Sequence, residues 1–569
     1  MGKGITISTE SGERISRHGE YAGYSEVLYN GHQMIARYMT VRDGTRIAID
    51  IFRPTSDGKL VETPHPVLWM HSPYNRREFR GLIPAAKFYP GEALRLVPYG
   101  YVVAVADFRG LYASFGKNGV FNRGEWLDTA YWDAYDITEW LAKQSWCDGN
   151  VGMWGCSATG GSQLQAATSM PPHLKAIFPM SCEFDAYPFG VAGGMASPKG
   201  ASLMSERINT ADRDKAAAPV DKDTDGKLLA EAVAEHKDNI NSAGYVPYRD
   251  SVSESLGERW WIKSSPFTYL ENITKSGIAM YLAANWDEGA TKYGSCFTFN
   301  NVKNPVKFII GPEGHCDWAA VWKNDGFNLV TEELRFFDYW LKGIRNGVMD
   351  EDSVCYYTYN APDGEQWRTS PQWPLANEKR VDYYLGANSL STQSPGAEDG
   401  KDITVVDYDV TQKNRAEKGL VYITEPLAND VEMTGHPVIH LWVSSTATDG
   451  DFVAYLEDLA PDGTGKSYCM DGRLRASHRA LQDPPYNNLG LPWHRGNAED
   501  AVPLTPGKPV ELVFDLYPIS YIFKAGHCIR LVLTFAESVR TPKVSPAPEV
   551  TIYRNSVYPS YITLPIIEG

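Results

Sequence analysis

The sequence lacks any long hydrophobic run. No uncharged apolar stretch approaches the roughly 20 residues that a membrane-spanning helix needs. The opening residues, MGKGITISTESGERIS, also lack the apolar segment of a secretory signal peptide. These two absences predict a cytoplasmic protein that does not have a membrane as its partner.

An excess of positive charge is absent as well. The 569 residues include 54 Lys and Arg against 70 Asp and Glu, for a formal net charge of -16. Surfaces that bind nucleic acid carry basic patches, so we do not expect a nucleic-acid partner. The sequence also shows no internal repeat and no low-complexity tract, which argues against a solenoid or a disordered chain.

Cysteine is scarce and has no metal-binding spacing. The eight cysteines, at positions 147, 156, 182, 296, 316, 355, 469 and 528, contain no C-x-x-C pair. The sequence therefore predicts neither a zinc site nor a disulfide framework, and most of these residues are expected to be buried thiols. No other motif implies a metal or a cofactor.

Apolar material for folded domains is plentiful. Hydrophobic residues make up 43% of the chain, and its length exceeds the roughly 250 to 300 residues that one core supports. In the first part, apolar runs at 66–71, 100–107, 151–156 and 176–182 indicate strands that are buried on both faces. Helical patterns between such runs predict a doubly wound α/β sheet.

Changes in composition divide the chain into four segments. Residues 1–183 and 276–348 carry the alternating strand and helix pattern. Residues 184–275, rich in Gly, Ala, Ser and charge, predict an inserted helical cap. Residues 349–569 show apolar residues at every second position, separated by turn residues, which predicts an all-β sandwich.

Ser157 lies in the segment most typical of a catalytic site. Residues 150–170, NVGMWGCSATGGSQLQAATSM, run from an apolar strand through Ser157 into a helix. A nucleophilic serine needs such a tight, strained turn, with small neighbours because the strand and the helix approach closely. Thr159 departs from the G-x-S-x-G pattern, and a turn serine can instead cap a helix.

Candidate partners follow the serine in the chain order that this turn requires. Asp287 and His315 each follow a later apolar run. We predict that His315 takes the proton of Ser157 as general base and that Asp287 accepts the other imidazole N–H. Glu288 is the rival acid. Each of these residues alone could cap a loop, but their joint occurrence favours a triad.

Two groups are candidates for an oxyanion hole. Tyr74 follows the first buried strand, where this fold supplies one donor, and the backbone N–H of Ala158 is the other. Tyr74 could instead be an ordinary aromatic residue of a turn. His71 lies close to Tyr74 but precedes the serine, which is the wrong chain order for the base.

Four further residues are candidates for a substrate pocket. Trp260 and Trp261 could line an apolar or aromatic acyl pocket, or form the core of the cap. Trp154 is close to the serine in sequence. Glu313 is close to the histidine and is either a selectivity residue for a cationic or polar substrate or a solvated loop residue.

Six segments resemble the CocE/NonD-type hydrolases, the group of cocaine esterase, alpha-amino-acid ester hydrolases and glutaryl acylases, which is related to X-Pro dipeptidyl-peptidases. They are HSPYNR at 71–76, DFRGLYASFG at 107–116, GNVGMWGCSATGG at 149–161, NWDEG at 285–289, GPEGH at 311–315 and FKAGHCIRLVLT at 523–534. The resemblance covers nearly the whole chain.

The resemblance implies an α/β-hydrolase domain with an inserted helical cap and a C-terminal jelly roll. It gives Ser157, Asp287 and His315 as the triad and Tyr74 with the Ala158 amide as the oxyanion hole. It also makes Asp107 and Arg109 structural ion-pair residues. The family usually has Tyr where Ala158 stands and Trp where Glu313 stands, so the substrate does not carry over.

The expected function is hydrolysis of an ester or amide bond of a small molecule through an acyl-enzyme. The same triad could perform other acyl chemistry, such as C–C bond hydrolysis, transacylation or natural-product tailoring. X-Pro dipeptidyl-peptidase activity is a further alternative, although those relatives tend to carry an additional N-terminal domain. A ligand-binding protein without activity is disfavoured by the intact triad. A homodimer is compatible with the sequence, but no pattern requires it.

Overall fold

The computed structural model describes residues 14–78, 83–84, 92–119, 121–196, 217–240, 242–396, 400–538 and 540–568. A central sheet of 11 strands organises the first part of the chain. Its main strands are β1 (Gly31–Thr40), β2 (Arg46–Ser56), β3 (His65–Ser72), β4 (Val102–Asp107), β5 (Cys147–Cys156), β6 (Leu174–Met180), β7 (Ala279–Asp287), β8 (Val306–Gly314), β9 (Val354–Tyr357) and β10 (Trp367–Ser370). The helices are α1 (Asp133–Ala142), α2 (Ala158–Ser169), α3 (Ala186–Gly190), α4 (Lys227–Glu235), α5 (Trp260–Lys263), α6 (Leu270–Ser276), α7 (Ala290–Asn301), α8 (Trp318–Asp325), α9 (Leu329–Lys342) and α10 (Arg415–Lys418).

The central sheet is mostly parallel. Its strand order is β10-β9-β8-β7-β6-β5-β3-β4-β2-β1. The neighbours from β4 to β9 pair in parallel, and β10, β2 and β1 form antiparallel edges. In such a sheet the carboxyl ends of the strands meet at one edge, where ligands bind. The loops after β3, β5, β7 and β8 therefore converge.

The predicted α/β-hydrolase sheet is confirmed. The apolar run at 66–71 lies in β3, and the run at 151–156 forms the buried half of β5. Helix α9 is buried along most of its length, and apolar residues at helical spacing, Leu334, Phe337 and Leu341, pack in the core on one side of the sheet.

The predicted cap contains the short helices α3 to α6. Its residues 197–216 and 241 lie outside the described residues. Trp260, Trp261, Tyr187 and Val246 form a separate small hydrophobic cluster. The indole N–H of Trp261 donates to the carbonyl oxygen of Val246 at 2.8 Å. The cap thus has its own aromatic core.

The C-terminal part is an all-β sandwich, as predicted, with one sheet of nine strands and one of five. Its strands are β11 (Glu378–Leu385), β12 (Leu390–Ser391), β13 (Lys401–Val405), β14 (Leu420–Ile423), β15 (Val431–Gly435), β16 (Val438–Ser445), β17 (Asp451–Leu459), β18 (Gly465–Lys466), β19 (Asp471–Arg475), β20 (Val510–Asp515), β21 (Ile519–Phe523), β22 (Cys528–Thr534), β23 (Glu549–Tyr553) and β24 (Tyr561–Ile567). The strands β9 and β10, which follow the predicted boundary at residue 349, pair with the central sheet.

Within the described ranges, no helix is long and apolar enough to cross a membrane. The opening residues 1–13, on which the expectation of no signal peptide depends, lie outside the described residues. The cytoplasmic location therefore stays a prediction.

Candidate active site

Ser157 occupies a strained turn between β5 and α2. Its φ of 61° and ψ of -126° are rarely adopted by a residue with a side chain. The turn is held by the backbone N–H of Ser157, which donates to the carbonyl oxygen of Met180 at 2.9 Å. Gly160 allows the helix to approach β6, because an added Cβ would lie 2.4 Å from that same carbonyl oxygen. This geometry is that of a nucleophile elbow.

The hydroxyl of Tyr74 lies directly beside the serine. It donates to Oγ of Ser157 at 3.3 Å and accepts from the backbone N–H of Ala158 at 3.4 Å. Burial raises the pKa of Tyr74 above its ordinary value, so the phenol keeps its proton at neutral pH. Two predicted oxyanion donors, the Tyr74 O–H and the Ala158 N–H, therefore converge beside the serine oxygen.

Glu288, rather than Asp287, contacts the predicted base. Nδ1 of His315 lies 2.6 Å from Oε2 of Glu288, whose side chain is 1% exposed. The other carboxylate oxygen, Oε1, accepts the backbone N–H of Asn285 at 3.0 Å. The prediction that Asp287 orients His315 is therefore corrected in favour of the rival acid.

The strand register explains this correction. Asp287 is paired with Gly314 at the ends of β7 and β8. The next residues of the two strands, Glu288 and His315, consequently lie side by side, while side chains of successive residues point in opposite directions. Asp287 itself is exposed and interacts with Cys469 in the sandwich.

Lys292 lies behind the acid and was not singled out from the sequence. Its fully buried ammonium donates to the carbonyl oxygens of Trp286 at 2.5 Å and Cys469 at 3.2 Å. Burial lowers the pKa of Lys292, while Glu288 and Asp287 act in the opposite direction. The residue links the acid loop to the sandwich. In the sequence, Lys292 is one of several polar residues of α7, and no pattern sets it apart from the others.

A disulfide joins Cys156 and Cys316, with the Cα atoms 6.0 Å apart. The expectation of unpaired thiols is therefore wrong for these two residues. Spacing could not indicate the pair, because 160 positions separate its members. The six remaining cysteines are free thiols, and four of them are buried.

The four residues predicted to line a substrate pocket are not part of the lining of the pocket described in the next paragraph. Trp154, in β5, is fully buried in the hydrophobic core on one side of the sheet, so its assignment to the pocket is corrected. The burial of Trp260 and Trp261 supports the cap-core interpretation rather than the pocket. The carboxylate of Glu313 accepts a hydrogen bond from the side-chain amide of Asn324 in α8 at 2.6 Å. This contact links the end of β8 to α8.

A pocket lies where the hydrolase, the cap and the sandwich meet. Its lining includes Ala290, two positions after Glu288 in the sequence, and is otherwise largely aromatic and charged. The residues used below to describe it are Phe184, Phe189, Tyr293, Arg473 and Tyr486. Four of the five come from the cap and the sandwich, far from the motifs in sequence.

Asp107 and Arg109 form ion pairs, as expected. Asp107 accepts from Arg76 at 3.1 Å, and Arg109 donates to Asp133 at 2.6 Å. His71 is buried between the rings of Trp69 and Phe108, which are 5.5 and 4.2 Å from its ring centre. It is thus a core histidine, in agreement with its position before the serine.

The doubly wound parallel sheet, with a serine at a strained strand-to-helix turn and a histidine after a later strand, defines the α/β-hydrolase class. A family model described as X-Pro dipeptidyl-peptidase (S15 family) matches residues 43–317. A second, described as the X-Pro dipeptidyl-peptidase C-terminal non-catalytic domain, matches residues 346–563. It includes β9 and β10, which complete the central sheet.

Relatives agree with these matches. A protein of Mycobacterium bovis named as a candidate serine esterase is 30% identical, over 95% of this chain and 96% of its own. The cocaine esterase of Rhodococcus sp. is 27% identical, over 95% and 100% of the two chains. The chain belongs to the X-Pro dipeptidyl-peptidase S15 family, and it is a hydrolytic enzyme of the serine esterase type.

A solved structure extends the likeness of the fold. The CocE/NonD family hydrolase of Staphylococcus aureus superposes with a TM-score of 0.71 at 23% identity, with 94% of each chain covered. The match includes the hydrolase domain and the C-terminal sandwich. The predicted resemblance to CocE/NonD hydrolases is therefore confirmed.

Proposed function

We propose that this enzyme hydrolyses an ester or amide bond of a small molecule through an acyl-enzyme. Ser157 is the nucleophile, His315 the general base and Glu288 the acid that orients the histidine. The Tyr74 hydroxyl and the Ala158 amide form the oxyanion hole. No cofactor takes part in these steps.

The observation that carries the proposal is the position of the Tyr74 hydroxyl, within 3.3 Å of the Ser157 oxygen and 3.4 Å of the Ala158 nitrogen. An oxyanion hole needs preorganised donors beside the oxygen that becomes negative when the nucleophile attacks. A carbonyl seated at Ser157 would direct its oxygen to this pair of donors. A serine that only caps a helix does not require hydrogen-bond donors at these positions.

The path of the Ser157 proton follows from the hydrogen bond that His315 makes with Glu288. Glu288 accepts the Nδ1–H of His315, which leaves Nε2 as the ring nitrogen that takes the Ser157 proton. His315 then donates this proton to the leaving alcohol or amine. Water releases the acyl group in a second addition, with the same base and the same oxyanion donors.

The pocket at the junction of the three parts is the proposed acyl site. Its aromatic lining, including Phe184, Tyr293 and Tyr486, suits an apolar or aromatic acyl group. Its charged lining consists of Arg473, which pairs with Asp471, and of the carboxyl groups of Asp185 and Asp515. The substrate class is therefore a small ester or amide with an apolar acyl part.

Active-site labelling tests the nucleophile. We expect a fluorophosphonate probe to add one adduct to the intact mass of the wild type and none to Ser157→Ala. Ser162→Ala is the matched control, because Ser162 lies buried in α2 and donates to the carbonyl oxygen of His71. Labelling of Ser157→Ala, or hydrolysis of short-chain and aromatic esters by it, would falsify the proposal.

A further inference from the structure

The disulfide lies at the two loops that carry the proposed nucleophile and base. Cys156 directly precedes Ser157, and Cys316 directly follows His315. Each sulfur is therefore attached one residue away from a group that takes part in proton transfer. The mechanism proposed above assigns no task to this bond.

The bond spans strands that are not neighbours. In the sheet, β6 and β7 lie between β5 and β8. Adjacent strands are about 4.8 Å apart, so three spacings separate β5 from β8 by about 14 Å. The Cα atoms of Cys156 and Cys316 are nevertheless 6.0 Å apart. The loop after β8 thus reaches back over the ends of the intervening strands, and the disulfide ties it to β5.

The two loops are held to different extents. The serine turn is held by the Ser157 N–H on Met180 and by the amides of Gly160 and Gly161 on the Ser157 carbonyl. The loop of His315 is held by the amide of Asp317 on the Gly314 carbonyl and by that of Trp318 on the Cys316 carbonyl. The side chain of His315 is 44% exposed and contacts Glu288 and Thr291. The imidazole is therefore less enclosed than the serine, and the covalent link acts on the residue next to it.

The backbone of Cys316 adds to this dependence. Its φ of 62° is in the left-handed region, which is unfavourable for a residue with a side chain unless the surroundings hold it. The bond to Cys156 holds this residue from the side chain. Without it, the backbone after His315 can relax to an ordinary conformation and move the imidazole.

We propose that the Cys156–Cys316 disulfide positions His315 against Ser157 and makes turnover depend on the redox state of this pair. The inference rests on the proposed function, because it concerns the same serine and histidine. Reduction lowers kcat, since it disturbs proton transfer, and leaves KM nearly unchanged, since the lining of the acyl pocket contains neither cysteine. Cys156 and Cys316 are positioning residues.

The redox step is an ordinary thiol–disulfide exchange with a small dithiol as the reductant. A thiolate of the dithiol attacks Sγ of Cys316, the half-buried residue of the pair, and Cys156, which is fully buried, leaves as a thiolate that takes a proton. The second thiol of the reductant then closes its own disulfide and releases the Cys316 thiol. Two electrons pass from the dithiol to the protein.

Other cysteines do not compete for this chemistry. Burial raises the pKa of Cys469 to about 12 and that of Cys147 to about 11, so both remain thiols at neutral pH. Exchange of the disulfide with these groups is slow for this reason. The six free cysteines also have no disulfide that a dithiol could reduce, so the response to a dithiol is assigned to the Cys156–Cys316 pair.

The test compares the full-length enzyme before and after treatment with dithiothreitol, with a chromogenic ester as substrate. We expect kcat to fall about tenfold or more on reduction, as for other small displacements of catalytic groups, with KM changed less than about twofold. Removal of the dithiol and reoxidation should restore kcat. Thiol titration in denaturant should count six free thiols before reduction and all eight after it.

Two variants provide the controls. Cys316→Ser should have the kcat of the reduced enzyme and no response to dithiol, and its unfolding curve shows whether it is folded. Cys528→Ser, which removes a free thiol in the sandwich, should keep the full response. Equal kcat in both redox states, or eight free thiols in the untreated enzyme, would overturn the inference. Fluorophosphonate labelling of Ser157 in the oxidised enzyme distinguishes this failure from a failure of the proposed function.

Discussion

At the scale of single residues, two adjacent carboxylates have different surroundings. Glu288 is buried, and its oxygens contact the His315 ring and the Asn285 amide. Asp287 is exposed to solvent at the sandwich. A buried carboxylate interacts more strongly with a developing imidazolium, because solvent screens it less. The geometry therefore assigns the two residues different tasks.

A matched pair of substitutions tests this assignment. We expect Glu288→Gln to lower kcat about 1,000-fold or more, because a neutral amide can donate to Nδ1 and hold the wrong tautomer. Asp287→Asn should change kcat less than about threefold, since this carboxylate does not contact the histidine. The measurement is kcat for one ester, with unfolding curves for both variants. Similar losses in the two variants would refute the assignment of Glu288.

The sequence narrowed the acid to two neighbours but could not choose between them. In this fold the acid and the histidine follow the serine in the chain, and this rule alone predicted an acid in the loop after β7. The choice depends on which residue faces His315, and this follows from the pairing of Asp287 with Gly314. Register between distant strands has no local signal, because it is set by the packing of the whole sheet.

At the scale of elements, the approach of α2 to β6 depends on one of two adjacent glycines. An added Cβ at Gly160 would lie 2.4 Å from the backbone oxygen of Met180, whereas the nearest atom to a Cβ at Gly161 is 3.9 Å away on Glu183. The backbone of β6 cannot move easily, because it pairs with β5 and β7. Only Gly160 is required by the packing.

Alanine at each position tests this difference. Gly160→Ala should lower the free energy of unfolding by about 1 to 3 kcal/mol, since overpacking displaces the helix. It should also lower kcat, because the serine turn moves with α2. Gly161→Ala should leave both unchanged or raise stability by up to about 1 kcal/mol, because alanine favours a helix. Urea unfolding and ester hydrolysis measure the two effects, and equal destabilisation by the two variants would contradict the argument.

The surroundings of β5 explain why Trp154 was assigned to the pocket. In β5, residues on both faces are apolar, because helices cover the sheet on both sides. The hydrophobic pattern therefore predicted the strand but could not tell that Trp154 points into the core. The aromatic residues that line the observed pocket come from three separate segments, and the sequence has no local pattern that groups them.

At the scale of the whole molecule, the central sheet is completed from the far side of the predicted boundary. The strands β9 and β10 follow α9 in sequence and pair with β8. Composition showed a change from helical to strand patterns near residue 349, and that change is real. It marks the end of the long helices, however, and not the end of the sheet, because edge strands of both units have the same two-residue period.

The buried histidines predict how the whole molecule responds to acid. Burial lowers the pKa of His71 and of His436 to about 3, one in the hydrolase sheet and one in the sandwich. A folded-state pKa below the unfolded value means that the stabilising contribution is complete above about pH 6.5 and is lost as the pH falls towards 3. Each group then accounts for about 3 kcal/mol of lost stability by about pH 4. Asp515, with its pKa raised by burial to about 7, acts in the opposite sense and loses its contribution as the pH rises.

Replacement of one core histidine isolates this effect. His71 has both ring nitrogens buried without a hydrogen-bond partner among the described residues, and its neighbours Trp69 and Phe108 are apolar. In His71→Phe, the free energy of unfolding should therefore decline less between about pH 7 and pH 4, by about 3 kcal/mol. Urea unfolding at a series of pH values measures this decline, and an unchanged slope in His71→Phe would show that the acid sensitivity comes from other groups.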